Sequence, residues 1–190
     1  MEEFDIAIIG GGPAGIMAAI AASADLNVVL LEKNSSLGSK LLITGGGRCN
    51  ITNEKPIKKL LNSFHDKNFL KHSFYTFTNE MLLDLFRNRG LDFIVEDNNR
   101  VFPETEKSQD ILAILKYYLK DITIKYNYEV SDIKKEDNFI INNDIIAEKV
   151  IIATGGATFP KTGSTGDGYY LTDNPVTDIK YGLVPLLTKK

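Results

Sequence analysis

The chain has 190 residues, 43% hydrophobic and 25% charged, which is ordinary for a soluble globular protein and enough for one large domain with a sizeable core. Its net charge of −3 offers no electrostatic reason to expect a nucleic-acid or membrane-surface partner. A single cysteine, Cys49, excludes an internal disulfide and suits a reducing, cytoplasmic compartment.

The opening Met1-Glu2-Glu3 is acidic and the apolar stretch after Ile6 is broken by glycines, so the start does not read as an export signal. No apolar run approaches the ~18 residues of a membrane span. Residues 4–9 read as a central strand, 13–24 as an Ala-rich helix with Pro13 in its first turn, and 27–32 as a second strand. Between strand and helix lies Gly10-Gly11-Gly12-Pro13-Ala14-Gly15, in which Gly10, Gly12 and Gly15 have GxGxxG spacing. In a βαβ unit Gly10 makes the tight turn, Gly12 lets backbone approach a pyrophosphate, and Gly15 lets helix pack close to strand. The helix N-terminus, at Pro13 and Ala14, offers N–H groups to the phosphates. Glu32, 22 residues after Gly10, is placed to accept hydrogen bonds from an adenosine ribose, with Lys33 beside it. A dinucleotide site is therefore expected here.

The stretch 34–53 is loop-like and holds Gly38, Gly45, Gly46 and Gly47, and a loop of this length usually has a functional reason. A helical pair is expected over 56–71, then a helix capped by Thr78 or Asn79 that runs to Arg89 and ends at Gly90. Its Met81, Leu82, Leu85 and Phe86 share a face. Short strands follow at 92–96 and 100–102. Ser108 is a candidate cap for a helix to Lys120 with Ile111, Leu112, Leu115 and Leu119 as its buried stripe. Strands at 122–126, 128–134, 138–142 and 145–146 suggest a small antiparallel meander carried on the parallel sheet. Val150-Ile151-Ile152-Ala153 reads as a buried strand entering Thr154-Gly155-Gly156. His65 and His72 lack any metal-ligand pattern, so no metal is expected. Cys49 has no partner for a dithiol relay and reads as a packed residue.

Three stretches carry a resemblance. Lys40-Leu41-Leu42-Ile43-Thr44-Gly45-Gly46-Gly47-Arg48-Cys49-Asn50-Ile51-Thr52-Asn53, then Arg100-Val101-Phe102-Pro103, then Gly155 to Tyr169 resemble the signature loops of the bacterial HI0933-like flavoproteins, an NAD(P)/FAD-dependent oxidoreductase family that includes aminoacetone-oxidase-like enzymes. Asn99 stands where the family has glycine. The resemblance implies an α/β, Rossmann-like doubly wound FAD-binding domain over 1–190, with a parallel sheet and a small antiparallel β-meander. It implies FAD as cofactor. Ala153-Thr154-Gly155-Gly156 also resembles the second turn of two-dinucleotide-binding-domain flavoproteins, which implies that this turn lies against the FAD and backbone near Val130 against the adenine. In the first loop, three glycines suit a flat ring, Lys40 and Arg48 suit charge on a reduced flavin, and Thr44 and Asn50 suit hydrogen bonds to it. Asp167 either binds ligand or caps the helix that starts there.

Family members are about twice this length. After a motif matching Leu183-Val184-Pro185-Leu186 they enter an inserted substrate-side domain and return with a carboxy-terminal flavin segment. The rest of the pocket is then expected from elsewhere, including an associating chain. The leading reading is an FAD-dependent oxidoreductase acting on an unidentified small molecule. Without a second GxGxxG, an NAD(P)H reductant is expected to bind only transiently. The alternatives are a nucleotide-binding or assembly module without turnover and a tRNA-modifying flavoprotein, the latter disfavoured by the acidic balance.

Overall fold

A computed structural model describes residues 1–172 and 174–179; the Leu183–Leu186 motif lies outside them. Strand β1 (Glu2–Ile9) leads through the glycine turn into α1 (Pro13–Ala22), and β2 (Val28–Leu31) pairs parallel to β1 with Ile6 opposite Val28 and Ile9 opposite Leu31. The strands alternate their burial by the two-residue period of a pleated sheet. Ile6, Ile8, Val28 and Leu30 face a core shared with Ile16 and Ala19 of α1, while Ala7, Ile9, Val29 and Leu31 face the opposite side with Val130 and Ile141.

Four short elements follow the glycine-dense loop: β3 (Thr52–Asn53), α2 (Ile57–Leu61), α3 (Lys67–Thr76) and α4 (Asn79–Arg87). The α2–α3 pair is present as expected, but α3 buries none of its residues and Phe69 is 80% exposed. Thr78 caps α4, its hydroxyl accepting from the Met81 N–H at 3.2 Å, and the helix stops before Gly90, whose φ is 78°. Within α4 the buried residues are Leu83 and Phe86, whereas Met81 points to solvent, a correction to the expected stripe.

Strands β4 (Phe93–Glu96) and β5 (Arg100–Pro103) form, with β3, a separate three-stranded antiparallel sheet of order β3-β5-β4. Helix α5 (Ser108–Tyr118) buries Ile111, Leu112 and Leu115 as expected, and Leu119 just after it. Ser108 is not its cap. Lys107 occupies that position, and the Ser108 hydroxyl instead donates to the Leu42 carbonyl at 2.9 Å, fully buried.

The last strands are β6 (Thr123–Lys125), β7 (Ile133–Lys135), β8 (Phe139–Ile141) and β9 (Ile145–Ile152). The main sheet runs β6-β2-β1-β9-β8-β7, its first four strands parallel and β7-β8-β9 antiparallel. The meander is thus real but smaller than expected. The 122–126 segment belongs to the parallel sheet, because it pairs with β2, and 128–132 lies outside any strand. The expected strands at 145–146 and 150–153 are one, a single β9 that closes the meander and pairs parallel to β1 along its length. Its end is only half-buried, with Ile151 36% exposed. No helix among the described residues is long and apolar enough to cross a membrane.

Candidate functional site

The carboxyl ends of β1, β2 and β9 open together into a cleft that is open to solvent on one side. Its floor is the glycine turn. At Gly10, φ is 106°, and a Cβ there would lie 2.6 Å from the Ala153 carbonyl oxygen. The turn can therefore sit flush against the end of β9, where the Ala153 N–H donates to the Ile9 carbonyl at 2.8 Å. Gly12 differs: a Cβ there would meet no protein atom within 4 Å. This open space, on the lining of the cleft, forms a cradle. Pro13 and Ala14 begin α1 directly behind it, and neither a side-chain cap nor an acidic first turn competes for the helix's free N–H groups.

Glu32 directly follows β2, inside this cleft, and is buried, 6% exposed. One carboxylate oxygen accepts from the Gly11 N–H at 2.7 Å and the other from the Asn34 N–H at 2.7 Å. A carboxylate has about four acceptor positions. Two remain for a ligand hydroxyl while the other two hold the glycine turn in place.

The cleft gathers Gly10, Gly12, Pro13, Ala14, Glu32, Lys33 and Lys40 from the amino-terminal half with Val130, Ala153, Thr154 and Gly155 from the other. Val130 is buried, and Tyr128 lies beside it with its hydroxyl donating to the Asp144 carboxylate. Gly15 stands beneath the floor, where a Cβ would come within 1.9 Å of the Gly10 carbonyl oxygen. Its role is helix–strand packing. Gly156 lies beyond the lining, near the Tyr169 hydroxyl.

Thr44, Gly45, Gly46, Gly47, Arg48 and Asn50 do not line the cleft. Their loop begins as a 3₁₀ turn (Leu41–Gly47) that breaks at an extended Thr44, after which Gly45 and Gly46 take φ of 57° and 70°. It packs on the three-stranded sheet: a Cβ on Gly45 would press within 3.0 Å of Phe102 and 2.8 Å of the Asn50 nitrogen. Arg48 stacks 4.1 Å over the Phe102 ring and pairs with Glu96 at 2.6 Å and Glu106 at 2.9 Å. These hydrogen bonds raise the already high Arg48 pKa, and the guanidinium in turn lowers that of the Glu96 carboxyl. The charge of Arg48 is thus already shared by two carboxylates. Cys49 is buried, and burial pushes its thiol above the ordinary range against a smaller opposing contact with Thr44.

Asp167 opens a short 3₁₀ turn (Asp167–Tyr169), and its side chain is engaged by Lys33 at 2.6 Å and by the Thr165 hydroxyl at 2.5 Å. Burial raises its pKa, but these hydrogen bonds outweigh that and leave it below the usual carboxylate value. Sequence reading missed Asn34, Gly38, Tyr128 and Ser164 as cleft residues. Gly38 could have been found from its place in the glycine-dense loop, where its N–H donates to the Gly11 carbonyl at 2.9 Å. Tyr128 carried no local signal. His65 and His72 are exposed, and no cluster of metal-ligating side chains occurs among the described residues.

A family model described as the HI0933-like protein Rossmann domain matches residues 4–181. The chain belongs to this family. Among curated relatives, this HI0933-like domain is 32% identical over 197 residues to a 3-dehydro-bile acid delta(4,6)-reductase of Clostridium scindens, covering 97% of the chain and 48% of the relative. It is 30% identical over 201 residues to the ribosomal RNA dihydrouridine synthase of Escherichia coli, covering 100% of the chain and 50% of that protein. The chain spans about half the length of these relatives. Among solved structures it is similar to the open conformation of a flavocytochrome c3 fumarate reductase, with TM-score 0.62, 21% identity, and coverage of 84% of this chain and 35% of that one. A 3-ketosteroid-delta4-(5alpha)-dehydrogenase of Rhodococcus jostii gives TM-score 0.59 at 15% identity, over 82% and 46% of the two chains. The HI0933-like domain thus has a Rossmann-like fold, with the expected small antiparallel meander.

Proposed function

We propose that this domain binds FAD and belongs to an oxidoreductase that passes hydride or electrons to an unidentified small molecule. The observation that carries the reading is the cleft itself, which brings the cradle above Gly12, the uncapped N-terminus of α1 and the buried Glu32 carboxylate to one side of the sheet. These groups suit a diphosphate joined to an adenosine ribose: N–H donors for the phosphates and a carboxylate acceptor for the sugar hydroxyls. Lys33 and Lys40 add positive charge to the same rim. Thr154 and Gly155 hold the second wall, and Val130 gives an apolar surface for a base.

When bound, the flavin supplies two-electron transfer, and the protein's part is to hold and orient it. The names of the two curated relatives both denote reductions, of a bile-acid derivative and of a uridine in ribosomal RNA, which supports a reductive role. The net charge of −3 favours a small substrate over RNA for this domain. NAD(P)H is assigned a transient role as reductant, since the described residues present one glycine turn of this kind. The half-length match to the relatives supports completion of the pocket by further polypeptide, in this chain or another. The single, buried cysteine supports a cytoplasmic setting.

Titration of the purified chain with FAD, read by flavin fluorescence, tests the assignment. Saturable binding is expected, with ADP competing and FMN, which lacks adenosine, binding far more weakly. Gly12→Ala places a methyl in the cradle without strain, since φ is −78° at Gly12. Its melting temperature should match the parent, while FAD affinity falls by ~10-fold or more. Absence of FAD binding at ~100 µM, or equal FAD and FMN affinities, overturns the assignment.

A further inference from the structure

Residues 157–167 run along one edge of the cleft, which Thr162, Gly163, Ser164 and Asp167 line, and polar side chains from one short segment, 33–40, fasten them there. Lys33 donates to the Thr165 hydroxyl and to the Asp167 carboxylate, each at 2.6 Å, and Thr165 in turn donates to Asp167 at 2.5 Å. Asn34 donates to the Thr162 carbonyl at 3.4 Å, and Lys40 reaches the Thr158 hydroxyl at 3.4 Å. Both lysines that line the cleft are therefore occupied by this segment. Its outer end carries few apolar anchors. Phe159 is 67% exposed and holds a left-handed φ of 55°, a strained conformation for an aromatic residue. The inner end is fixed differently, with Ser164 buried and Gly168 against Thr154 and Ile152.

We propose that residues 157–167 are a strap latched along the edge of the cleft by Lys33, Thr165 and Asp167, and that a diphosphate-bearing ligand enters by taking Lys33 from Asp167. The inference rests on the dinucleotide reading above for its ligand, but the latch is a property of the ligand-free chain. The chemistry is an exchange of acceptors. Lys33 has one carboxylate and one hydroxyl as partners, and a diphosphate offers a denser negative charge to the same ammonium. Without the Lys33 bonds, the side-chain hydrogen bonds left between 33–40 and the strap are two at 3.4 Å, at the long end of hydrogen-bond range. The strap thus opens as the ligand arrives, and Asp167 recloses it when the ligand leaves.

Two measurements on the full chain test this. Without ligand, trypsin cleavage after the exposed Lys161, followed by mass spectrometry, reports how often the strap opens. Asp167→Asn should be cut about threefold to fivefold faster than the parent, the factor expected for a partly exposed ion pair. With FAD as the probe and stopped-flow fluorescence as the readout, Asp167→Asn should raise the association rate by a similar factor. Lys33→Met should also speed the cleavage but lower the association rate, because it opens the strap and removes the phosphate partner. That opposite sign is not expected of residues that merely stabilise the fold. Equal cleavage of the parent and both variants overturns the latch, as does a Lys33→Met that associates as fast as Asp167→Asn. Should Asp167→Asn fail to fold, Thr165→Ala deletes the bridging hydroxyl, keeps both charges and should shift both rates in the same direction. Failure of FAD to bind any of these proteins overturns the cofactor assignment instead, while the cleavage rates still decide the latch.

Discussion

Glu32 shows how one side chain can serve fold and ligand together. Its spacing from Gly10 marks it in the sequence as a ribose acceptor, yet nothing in that spacing shows that it also bonds the Gly11 and Asn34 N–H groups. That second role depends on the end of β2 lying against the glycine turn, a tertiary fact. It has a measurable consequence without any ligand. Glu32→Gln keeps the shape but turns an NH₂ group toward one of two backbone donors. A buried N–H facing another donor costs about 1–3 kcal/mol. Urea unfolding of the ligand-free variant should therefore show a loss of about 2 kcal/mol with an unchanged m-value. A loss below ~0.5 kcal/mol would mean that Glu32 does not brace the turn. Arg48 makes the complementary point: a cation in a glycine-rich loop reads as a cofactor ligand, but Glu96, Glu106 and Phe102, 48 to 58 residues away, already surround it.

Among the elements, local signals identified those whose stability is local. The β1–α1–β2 unit, α4 with its Thr78 cap and Gly90 stop, and α5 with its apolar stripe were all legible because propensity, capping and period agree there. Pairing was less legible. Residues 122–126 and 138–142 look alike as apolar runs, but one joins β2 in parallel and the other forms a meander with β9. The three-stranded sheet was invisible as a sheet because β3 has two residues and they pair with Val101 and Arg100, 49 and 47 positions away. Ser108 was misread for a similar reason. A serine preceding an apolar stripe signals a helix cap, whereas here its hydroxyl crosses to the Leu42 carbonyl and ties α5 to the start of the glycine-rich loop. Ser108→Ala should thus behave as loss of a tertiary tie, at a cost of about 1–2 kcal/mol. Faster amide exchange should appear across 41–47 while the first turn of α5 stays protected. Fraying confined to α5 would restore the cap reading.

For the molecule as a whole, buried and paired titratable groups make stability depend on pH from both ends. On the acid side Asp167 lies below its usual value, chiefly through Lys33 and Thr165, which outweigh the opposing effect of burial. Its contribution is present above the unfolded value near pH 4 and is lost as pH falls through the folded one. On the alkaline side Cys49 lies above its usual value through burial, and Tyr128 does so through burial and its bond to Asp144. Groups of this kind contribute fully below their unfolded pKa, about 8.5 for a thiol, and lose the contribution as pH rises toward the folded value. Stability should hold level between about pH 5 and 8 and decline above, by up to ~1.4 kcal/mol per pH unit for each group held protonated. Cys49 is the first to act, and Tyr128 follows nearer pH 10. Cys49→Ala keeps a small apolar side chain in the same core while removing the titration. Urea unfolding at pH 8 and pH 9.5 should then show a fall about 1 kcal/mol smaller in Cys49→Ala than in the parent. An identical fall in both proteins would mean that the thiol ionises as readily in the native core as in the unfolded chain.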